Sequence, residues 1–301
     1  MKILVTGLSG LVGSRLSELL GNKYQFENLS RVSGIDITDE KVLAPAVKAS
    51  NAKIVIHLAA KTNVDGCQED KVRDQELLRK KDKSVWINQE TAWAVNVIGT
   101  ENILKVCGET GKKIIYISTD FVFDGNDDRG YDEDDIPNPL NWYAKTKYEG
   151  EKLVANSGLD WIIARLAYPF RAEFEKKDFV RAIKEKLEKG EKINAISDHV
   201  MTPTFIDDFV GAIDLLISSN SNGIFHTVGS QFITPLEAAR FVAKTFELDE
   251  SLITQTTRTE YFKAKAVRPF FLGLKNDKIN KMGAKMRTFE AGIKEIRKQT
   301  L

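Results

Sequence analysis

Tyr143 and Lys147 are separated by three residues in the run Tyr-Ala-Lys-Thr-Lys. On a helix this spacing places both side chains on one face, a single turn apart. A tyrosine keeps its proton up to a pKa of about 10, which makes it a poor acid–base catalyst near neutral pH. A neighbouring ammonium group favours the phenolate and lowers that pKa. The pair can therefore give a proton to a carbonyl oxygen, and the hydroxyl of Thr119 can donate a hydrogen bond to the same oxygen.

A glycine-rich loop at residues 6–13, Thr-Gly-Leu-Ser-Gly-Leu-Val-Gly, lies between a predicted strand and a predicted helix. Gly7 permits a tight turn, Gly10 lets the backbone approach a pyrophosphate, and Gly13 lets the helix and strand pack closely. The helix N-terminus presents N–H groups and the positive end of its dipole to phosphates. The loop therefore predicts a dinucleotide site formed by Gly7, Ser9, Gly10, Leu11, Val12 and Gly13.

The end of the second predicted strand is expected to decide which dinucleotide binds. An acidic residue there binds the ribose 2′-hydroxyl of NAD, whereas an arginine accepts the 2′-phosphate of NADP. Ser30 and Arg31 occupy this part of the chain. They favour NADPH as the cofactor, and NADH stays open as the alternative.

Alternating strands and helices must position these groups. Continuous apolar runs at 3–6, 54–58, 114–118 and 161–165 are typical of parallel strands that are buried on both faces. Helix-period patterns occupy 11–20, 41–49 and 91–107. The alternation predicts an α/β fold, a Rossmann-type doubly wound parallel sheet with a smaller C-terminal substrate-binding lobe.

The pattern changes after about residue 167, and this change sets the predicted domains. Residues 1–167 and 200–228 are assigned to the dinucleotide-binding domain, and residues 168–199 and 229–301 to the substrate-binding lobe. Helices are predicted at 178–189, 209–217 and 235–246, a strand or turn at 203–208, and a strand at 223–228. The dense charge run at 70–84 is interpreted as a solvated helical insertion, with a mobile flap near the substrate as the alternative.

Composition excludes several classes of function. The 44 Lys and Arg residues nearly balance 43 Asp and Glu residues, which argues against a general nucleic-acid binder. No apolar run approaches the roughly 20 residues that span a bilayer, so no membrane contact is expected. Cys67 and Cys107 lack metal-ligand spacing and are interpreted as reduced thiols of a cytoplasmic protein.

No metal site is predicted. The acidic segment 124–135 has part of a calcium-loop spacing, but Arg129 stands where such a loop needs glycine. We therefore interpret it as a solvated acidic loop, with a metal or subunit contact left open. His57 lies on a predicted buried strand and is interpreted as a core residue, and His199 and His226 are isolated in sequence.

Several segments together resemble the extended short-chain dehydrogenase/reductase superfamily and, within it, the dTDP-4-dehydrorhamnose reductases. The segments are H-L-A-A-K-T-N-V-D at 57–65, A-V-N-V-I-G-T at 94–100, S-T-D-F-V-F-D-G at 118–125 and Y-A-K-T-K-Y-E-G at 143–150. The resemblance implies NAD(P)H-dependent reduction of a nucleotide-linked 4-keto-6-deoxysugar. Related dehydratases carry Thr-Asp-Glu where this chain has Thr119-Asp120-Phe121, so the missing third carboxylate favours reduction over dehydration.

The resemblance also assigns roles by position. Thr119, Tyr143 and Lys147 form the implied catalytic set, and the last two also contact the cofactor. The remaining implied cofactor contacts are Asp36, Ile37, Leu58, Ala59, Ala60 and Lys61. The implied substrate contacts are Thr119, Asp120, Tyr168 and Arg268, with Arg165 or Lys275 as further candidates for the diphosphate. Tyr168 stands where the reductases commonly have Trp.

Two other functions stay open at this point. The beta subunit of methionine adenosyltransferase resembles these reductases, so the chain could be a non-catalytic cofactor-binding regulatory subunit. An epimerase-like enzyme or a simple aldehyde reductase is the third reading. A homodimer is compatible with the sequence.

Overall fold

The computed structural model describes residues 1–80 and 82–300. Its strands, in chain order, are β1 (Lys2–Thr6), β2 (Gln25–Leu29), β3 (Ile54–His57), β4 (Lys113–Thr119), β5 (Trp161–Leu166), β6 (Pro169–Phe170), β7 (Ile193–Ile196), β8 (Thr204–Phe205), β9 (Gly223–His226) and β10 (Ile253–Thr256). Its helices are α1 (Leu11–Leu20), α2 (Glu40–Ala49), α3 (Val64–Leu78), α4 (Gly99–Thr110), α5 (Trp142–Ala155), α6 (Phe179–Glu188), α7 (Ile206–Ser218), α8 (Pro235–Phe246), α9 (Arg258–Tyr261), α10 (Asp277–Lys281) and α11 (Phe289–Gln299).

The main sheet has six strands in the spatial order β2-β1-β3-β4-β5-β9. Strand β1 pairs in parallel with both β2 and β3, and β3 pairs in parallel with β4. Chain order therefore reverses beside β1, which creates the switch point where ligands of doubly wound sheets bind. The apolar side chains of β1 and β3 are almost fully buried, as expected for strands covered on both faces. The predicted fold class is confirmed.

Two compact units divide the chain. The first contains residues 1–122, 139–164 and 220–224, and the second contains residues 123–138, 165–219 and 225–301. The sequence-based boundaries placed residues 123–138 and 200–219 in the dinucleotide-binding domain, whereas contacts group them with the second unit. The assignment of each unit to a ligand stays a prediction.

The second unit has its own core. Aromatic rings from β6, β8, α6 and α11 pack together, with Phe170 and Phe289 at a centroid distance of 5.1 Å. Two small parallel sheets, β6 with β8 and β7 with β10, complete it. Helix α7 begins at Ile206 rather than at 209, because Asp207 and Asp208 favour the first turn of a helix through its dipole.

The predicted helix at 91–107 is divided in the structure. Residues Ala94–Ile98 form a π-helical turn, and regular α-helix follows in α4. Such turns carry one extra residue per turn and often lie at functional sites. The strand and helix predictions in the first 60 residues match the structure closely, since α1 has the predicted bounds and α2 begins one residue early.

The charge run at 70–84 forms the second half of α3 and a 3-10 turn at Lys83–Trp86, and Lys81 lies outside the described residues. Most of its side chains are exposed, as predicted. The exception is Asp74, whose exposed fraction is 0%. The interpretation as a purely solvated insertion is therefore wrong at this residue. Within the described part of the chain, no helix has the length and apolar character needed to cross a membrane.

Candidate active site

The glycine loop adopts a backbone that only glycine fits at two positions. Gly7 has φ +71°, and a Cβ there would lie 2.9 Å from the amide nitrogen of Ala59 at the end of β3. A Cβ on Gly13 would lie 2.5 Å from the carbonyl oxygen of Gly7. The turn is closed by a 3.0 Å hydrogen bond that Gly10 N donates to Gly7 O. The loop is thus pressed against β3 and leaves the start of α1 facing the switch point.

A cavity of about 450 Å³ opens beside this loop, within the size range of small-ligand sites. It brings together nine of the predicted cofactor contacts: Gly7, Ser9, Ser30, Arg31, Asp36, Ile37, Ala59, Ala60 and Lys61. Other predicted contacts do not line this cavity: Gly10, Leu11, Val12, Gly13, Leu58, Tyr143 and Lys147. A cavity beside the glycine loop at a switch point fits the phosphates and ribose of a dinucleotide.

Glu90 lines this cavity, although the sequence analysis assigned it no role. The guanidinium of Arg31 donates from Nε to Asp36 Oδ2 at 2.9 Å and also pairs with Glu90. Asp36 is held in turn, because its Oδ1 accepts from the backbone N and the hydroxyl of Thr38 at 2.9 and 2.8 Å. Glu90 follows the insertion and belongs to no sequence motif. The group expected to bind a 2′-phosphate is therefore already paired with two carboxylates.

The predicted catalytic residues lie together in the first unit. Thr119 ends β4, while Tyr143 and Lys147 lie one turn apart near the start of α5, and all three are more than nine-tenths buried. Lys147 Nζ donates to the carbonyl oxygen of Ile117 at 2.8 Å and lies 4.0 Å from the ring centroid of Tyr116. The hydroxyl of Thr119 donates to Asp120 Oδ1 at 2.8 Å.

Burial dominates the protonation of this cluster. It raises the pKa of Tyr143, against a hydrogen bond with Thr119 that lowers it. It lowers the pKa of Lys147 to about 7, although the carboxylate of Glu151 opposes the shift. It raises the pKa of Asp120 to about 7, against the hydrogen bond from Thr119. The expectation that the Tyr143 pKa is lowered is wrong for this structure, because desolvation of the phenol is the largest effect and raises that pKa.

Asn96 is a site residue to which sequence reasoning assigned no role. It lies in the π-helical turn, and its Oδ1 accepts from Lys61 N at 2.8 Å while its Nδ2 donates to Lys61 O at 3.1 Å and to Thr146 Oγ1 at 2.9 Å. It therefore ties the cofactor-side segment after β3 to the helix that carries Tyr143. The A-V-N segment was a usable signal, since this asparagine is its only polar member.

Tyr168 and Arg268 lie in the second unit. Tyr168 has φ +41°, which is strained for an aromatic residue, and its hydroxyl lies 2.7 Å from His199 Nε2. His199 Nδ1 lies 2.8 Å from the carbonyl oxygen of Pro269, so that nitrogen carries the proton and Tyr168 is the donor to the other. Arg268 donates to Ala266 O at 2.7 Å and stacks on the ring of Phe262 at 4.5 Å.

Arg165 is the predicted diphosphate candidate that the structure does not favour. Its exposed fraction is 1%, its Nη1 lies 3.3 Å from His226 Nε2, and its guanidinium packs 4.9 Å from the centroid of Phe123. It is a core residue of the second unit.

The other polar clusters serve the fold. In the acidic loop, Asp124 Oδ1 accepts from the Tyr131 hydroxyl at 2.8 Å and its Oδ2 accepts from Asn138 at 2.9 Å. His57 bridges Thr6 at 2.6 Å and Thr100 at 3.0 Å, and burial lowers its pKa to about 3. The prediction that His57 is a core residue is confirmed. Burial also raises the pKa of both cysteine thiols to about 12, which disfavours the thiolate form.

Three known proteins place this geometry among relatives. A dTDP-4-dehydrorhamnose reductase of Mycolicibacterium smegmatis is 31% identical over 79% of this chain and 67% of its own length. Methionine adenosyltransferase 2 subunit beta of Xenopus laevis is 29% identical over 98% of this chain and 86% of its own. The crystal structure of dTDP-4-dehydrorhamnose reductase from Bacillus anthracis in complex with NADP superposes with a TM-score of 0.87, at 26% identity and 99% coverage of both chains.

These similarities confirm the predicted resemblance to the dTDP-4-dehydrorhamnose reductases. The model of the family described as RmlD substrate binding domain matches residues 1–301. The match includes the glycine loop, the Thr119 strand end, the Tyr143 helix and the second unit. The chain therefore belongs to the RmlD substrate-binding domain family.

Proposed function

We propose that this protein reduces the C4 ketone of a nucleotide-linked 4-keto-6-deoxysugar with NADPH, and accepts NADH less well. It is an NAD(P)H-dependent oxidoreductase of its family, and its substrate is a nucleotide sugar. The observation that carries the proposal is the buried set of Thr119, Tyr143 and Lys147 at the carboxyl end of β4 and the start of α5. These residue types, in this order, suit carbonyl reduction.

The cofactor site is assigned to the first unit. The glycine loop and the segment after β3 would hold the pyrophosphate, Asp36 and Ile37 would flank the adenine, and Arg31 would meet the 2′-phosphate. The close contacts at Gly7 and Gly13 support this assignment, because a Cβ at either position would clash with the backbone and force the phosphate-binding loop to move. A nicotinamide held by these residues would supply the hydride for the carbonyl carbon.

Tyr143 gives the proton to the carbonyl oxygen. Burial keeps its phenol protonated at neutral pH, which suits a donor. Lys147 then stabilises the phenolate that remains while its amine is protonated, and Glu151 opposes the burial that lowers its pKa to about 7. Below about pH 7 Asp120 holds a proton that it can donate to Thr119, which turns the Thr119 proton toward the carbonyl oxygen.

The substrate contacts remain predictions in this proposal. Asp120 Oδ2 is buried and has no hydrogen-bond partner among residues 1–80 and 82–300, so it is suited to accept a sugar hydroxyl. Tyr168 would stack against the sugar and Arg268 would pair with the diphosphate. The second unit, which carries both, is accordingly proposed as the substrate-binding lobe.

The test is NADPH oxidation with a panel of nucleotide 4-keto-6-deoxysugars, in wild type and in Tyr143→Phe. We expect the variant to bind NADP normally and to lose nearly all turnover, because only the proton donor is removed. Tyr148→Phe, on the same helix, is the matched control and should keep full turnover. Normal turnover by Tyr143→Phe would show that the acid is another group.

A second candidate is a regulatory subunit without turnover. It is favoured by the similarity to methionine adenosyltransferase 2 subunit beta over 98% of this chain. It predicts a stoichiometric complex with a methionine adenosyltransferase catalytic subunit and no NADPH oxidation with any sugar nucleotide. Both results together would replace the enzymatic proposal.

A further inference from the structure

The insertion helix α3 carries one buried face on an otherwise charged and exposed element. Cys67, Asp70 and Asp74 recur at helical spacing on that face, whereas Val72 and Glu76 point to solvent. Asp74 has no exposed surface, and burial raises the pKa of its carboxyl group. A carboxylate removed from water is costly unless hydrogen bonds compensate it. Its partners therefore indicate why the residue is there.

The partners of Asp74 lie at the start of α5, which carries Tyr143, and in the segment just before the π-helical turn that leads into α4. Its Oδ2 accepts from the indole Nε1 of Trp142 at 2.7 Å and from the backbone N of Trp93 at 3.0 Å. The two indole rings stack at a centroid distance of 5.6 Å with an interplanar angle of 28°. One carboxylate oxygen thus joins the first residue of α5 to the approach to α4.

The same helix holds α5 at a second point. Gln68 Oε1 accepts from the backbone N of Trp142 at 3.0 Å. The first N–H groups of a helix have no partner inside the helix and need one elsewhere. Asn141 caps the next turn by accepting from Ala144 N at 2.9 Å. Trp142 is therefore held by its backbone and its side chain, and Tyr143 is the next residue.

The opposite end of the buried face reaches the cofactor cavity. Asp70 Oδ2 accepts from Ala92 N at 2.8 Å and pairs with Lys61 Nζ at 2.7 Å. Cys67 Sγ donates to the carbonyl oxygen of Lys61 at 3.5 Å. Lys61 lines the cavity beside the glycine loop. One face of α3 therefore contacts both the cofactor-side segment and the start of the catalytic helix.

We infer that Asp74 is a positioning residue for the reduction, and that α3 acts as a clamp that sets the place of Tyr143 through Trp142. This inference deepens the proposed function and rests on it for the catalytic readout. The charged outer face of α3 is dispensable, whereas an oxygen acceptor at position 74 is required. A displacement of about 1 Å at a catalytic group can cost about 100-fold in rate, which gives the clamp its leverage.

Three variants test the clamp. Asp74→Ala removes the acceptor, Asp74→Asn keeps an oxygen that can accept from the same two donors, and Trp142→Phe removes the indole N–H but keeps a ring beside Trp93. Glu76→Ala, on the exposed face of α3, is the matched control. Each is measured for kcat with the nucleotide ketosugar, for NADP affinity by fluorescence titration, and for hydrogen exchange of the peptide that contains residues 142–147.

We expect Asp74→Ala and Trp142→Phe to lower kcat by about 10- to 100-fold with NADP affinity within about threefold of wild type. Exchange at residues 142–147 should rise about tenfold or more in both variants, and Asp74→Asn and Glu76→Ala should match wild type. In a Tyr143→Phe background, Asp74→Ala should reduce residual turnover no further, because both changes act on one group.

Three results would overturn the inference. They are unchanged exchange at residues 142–147, equal losses of NADP affinity and kcat, and an Asp74→Asn variant as impaired as Asp74→Ala. If Asp74→Ala fails to fold, Trp142→Phe decides alone by the same readouts. If wild type turns over no nucleotide ketosugar, the proposed function fails, whereas the exchange measurement still decides whether α3 holds the start of α5.

Discussion

The glycine-loop cavity and the Tyr143 cluster belong to the same compact unit but are built on different principles. The cavity is made by backbone, since two glycines let β1, α1 and the end of β3 approach within contact distance. The cluster is made by buried side chains whose protonation is set by loss of water. We therefore expect the cavity to lose cofactor affinity when a side chain is added to the loop. We expect the Tyr143 cluster to change its activity or stability when a charge or a proton is removed.

The largest effect is expected when one methyl group is added to the glycine loop beside the cavity. We expect Gly13→Ala to lower NADP affinity by about 100-fold, because its Cβ would lie 2.5 Å from the Gly7 carbonyl and the loop would have to move. Isothermal titration with NADP measures this. Gly108→Ala in α4 is the control, because its Cβ would only touch Leu159 at 3.9 Å. Equal NADP affinities in the two variants would contradict the proposal that the glycine loop binds the cofactor.

The Tyr143 cluster should make the stability of the protein depend on pH through Asp120. Its folded pKa, about 7, is above the unfolded value near 3.8, so the folded state keeps a proton that the unfolded state loses. The free energy of unfolding should therefore fall as pH rises from about 4 to 7, with a contribution of up to about 1.4 kcal/mol per pH unit. Asp120→Asn should remove this contribution and gain stability relative to wild type across that window.

Urea unfolding at several pH values measures the Asp120 effect. Lys147 contributes with the opposite sign at higher pH, because its folded pKa of about 7 is below 10.5 and stability should rise between those values. Asp128→Asn, which removes an exposed carboxylate, is the control. Parallel stability curves for wild type and Asp120→Asn would show that burial does not hold the proton.

The smallest expected effect is at Arg31, a charged side chain that lines the glycine-loop cavity. Because Asp36 and Glu90 already pair with this guanidinium, a 2′-phosphate must compete with them. We expect Arg31→Ala to lower the preference for NADP over NAD by about tenfold, and Glu90→Gln to raise it by up to about fivefold, as for an exposed ion pair. The ratio of the two dissociation constants measures both. Arg129→Ala, at an exposed pair in the second unit, should leave the ratio unchanged.

Much of the first unit could be predicted from the sequence because its signals are local. The strand of β1, the glycine loop and α1 are adjacent in the chain, and the spacing of Tyr143 and Lys147 already encodes a shared helix face. Asp74 and Glu90 could not be assigned in this way, and the A-V-N segment marks Asn96 without showing which groups it contacts. Their roles depend on contacts 19 to 68 positions away in the chain or on an irregular π-helical turn, and no periodicity records such contacts.

The burial of polar and charged side chains could not be predicted from the sequence pattern either. Arg165 is an ordinary cation at the end of a predicted strand, and only packing against Phe123 and His226 shows that it is a core residue. The Tyr143 pKa was expected to fall because one neighbour was known, whereas the structure adds the desolvation that reverses the direction.

Transfer of deuterium tests the central claim most directly. Wild type and Tyr143→Phe are each given NADPH deuterated at the transferred position together with a nucleotide-linked 4-keto-6-deoxysugar, and the sugar product is analysed by mass spectrometry over time. We predict one deuterium at sugar C4 with wild type, and nearly none with Tyr143→Phe under conditions where it is saturated with cofactor. A wild-type product without deuterium, or equal rates of incorporation in the two proteins, would contradict the account.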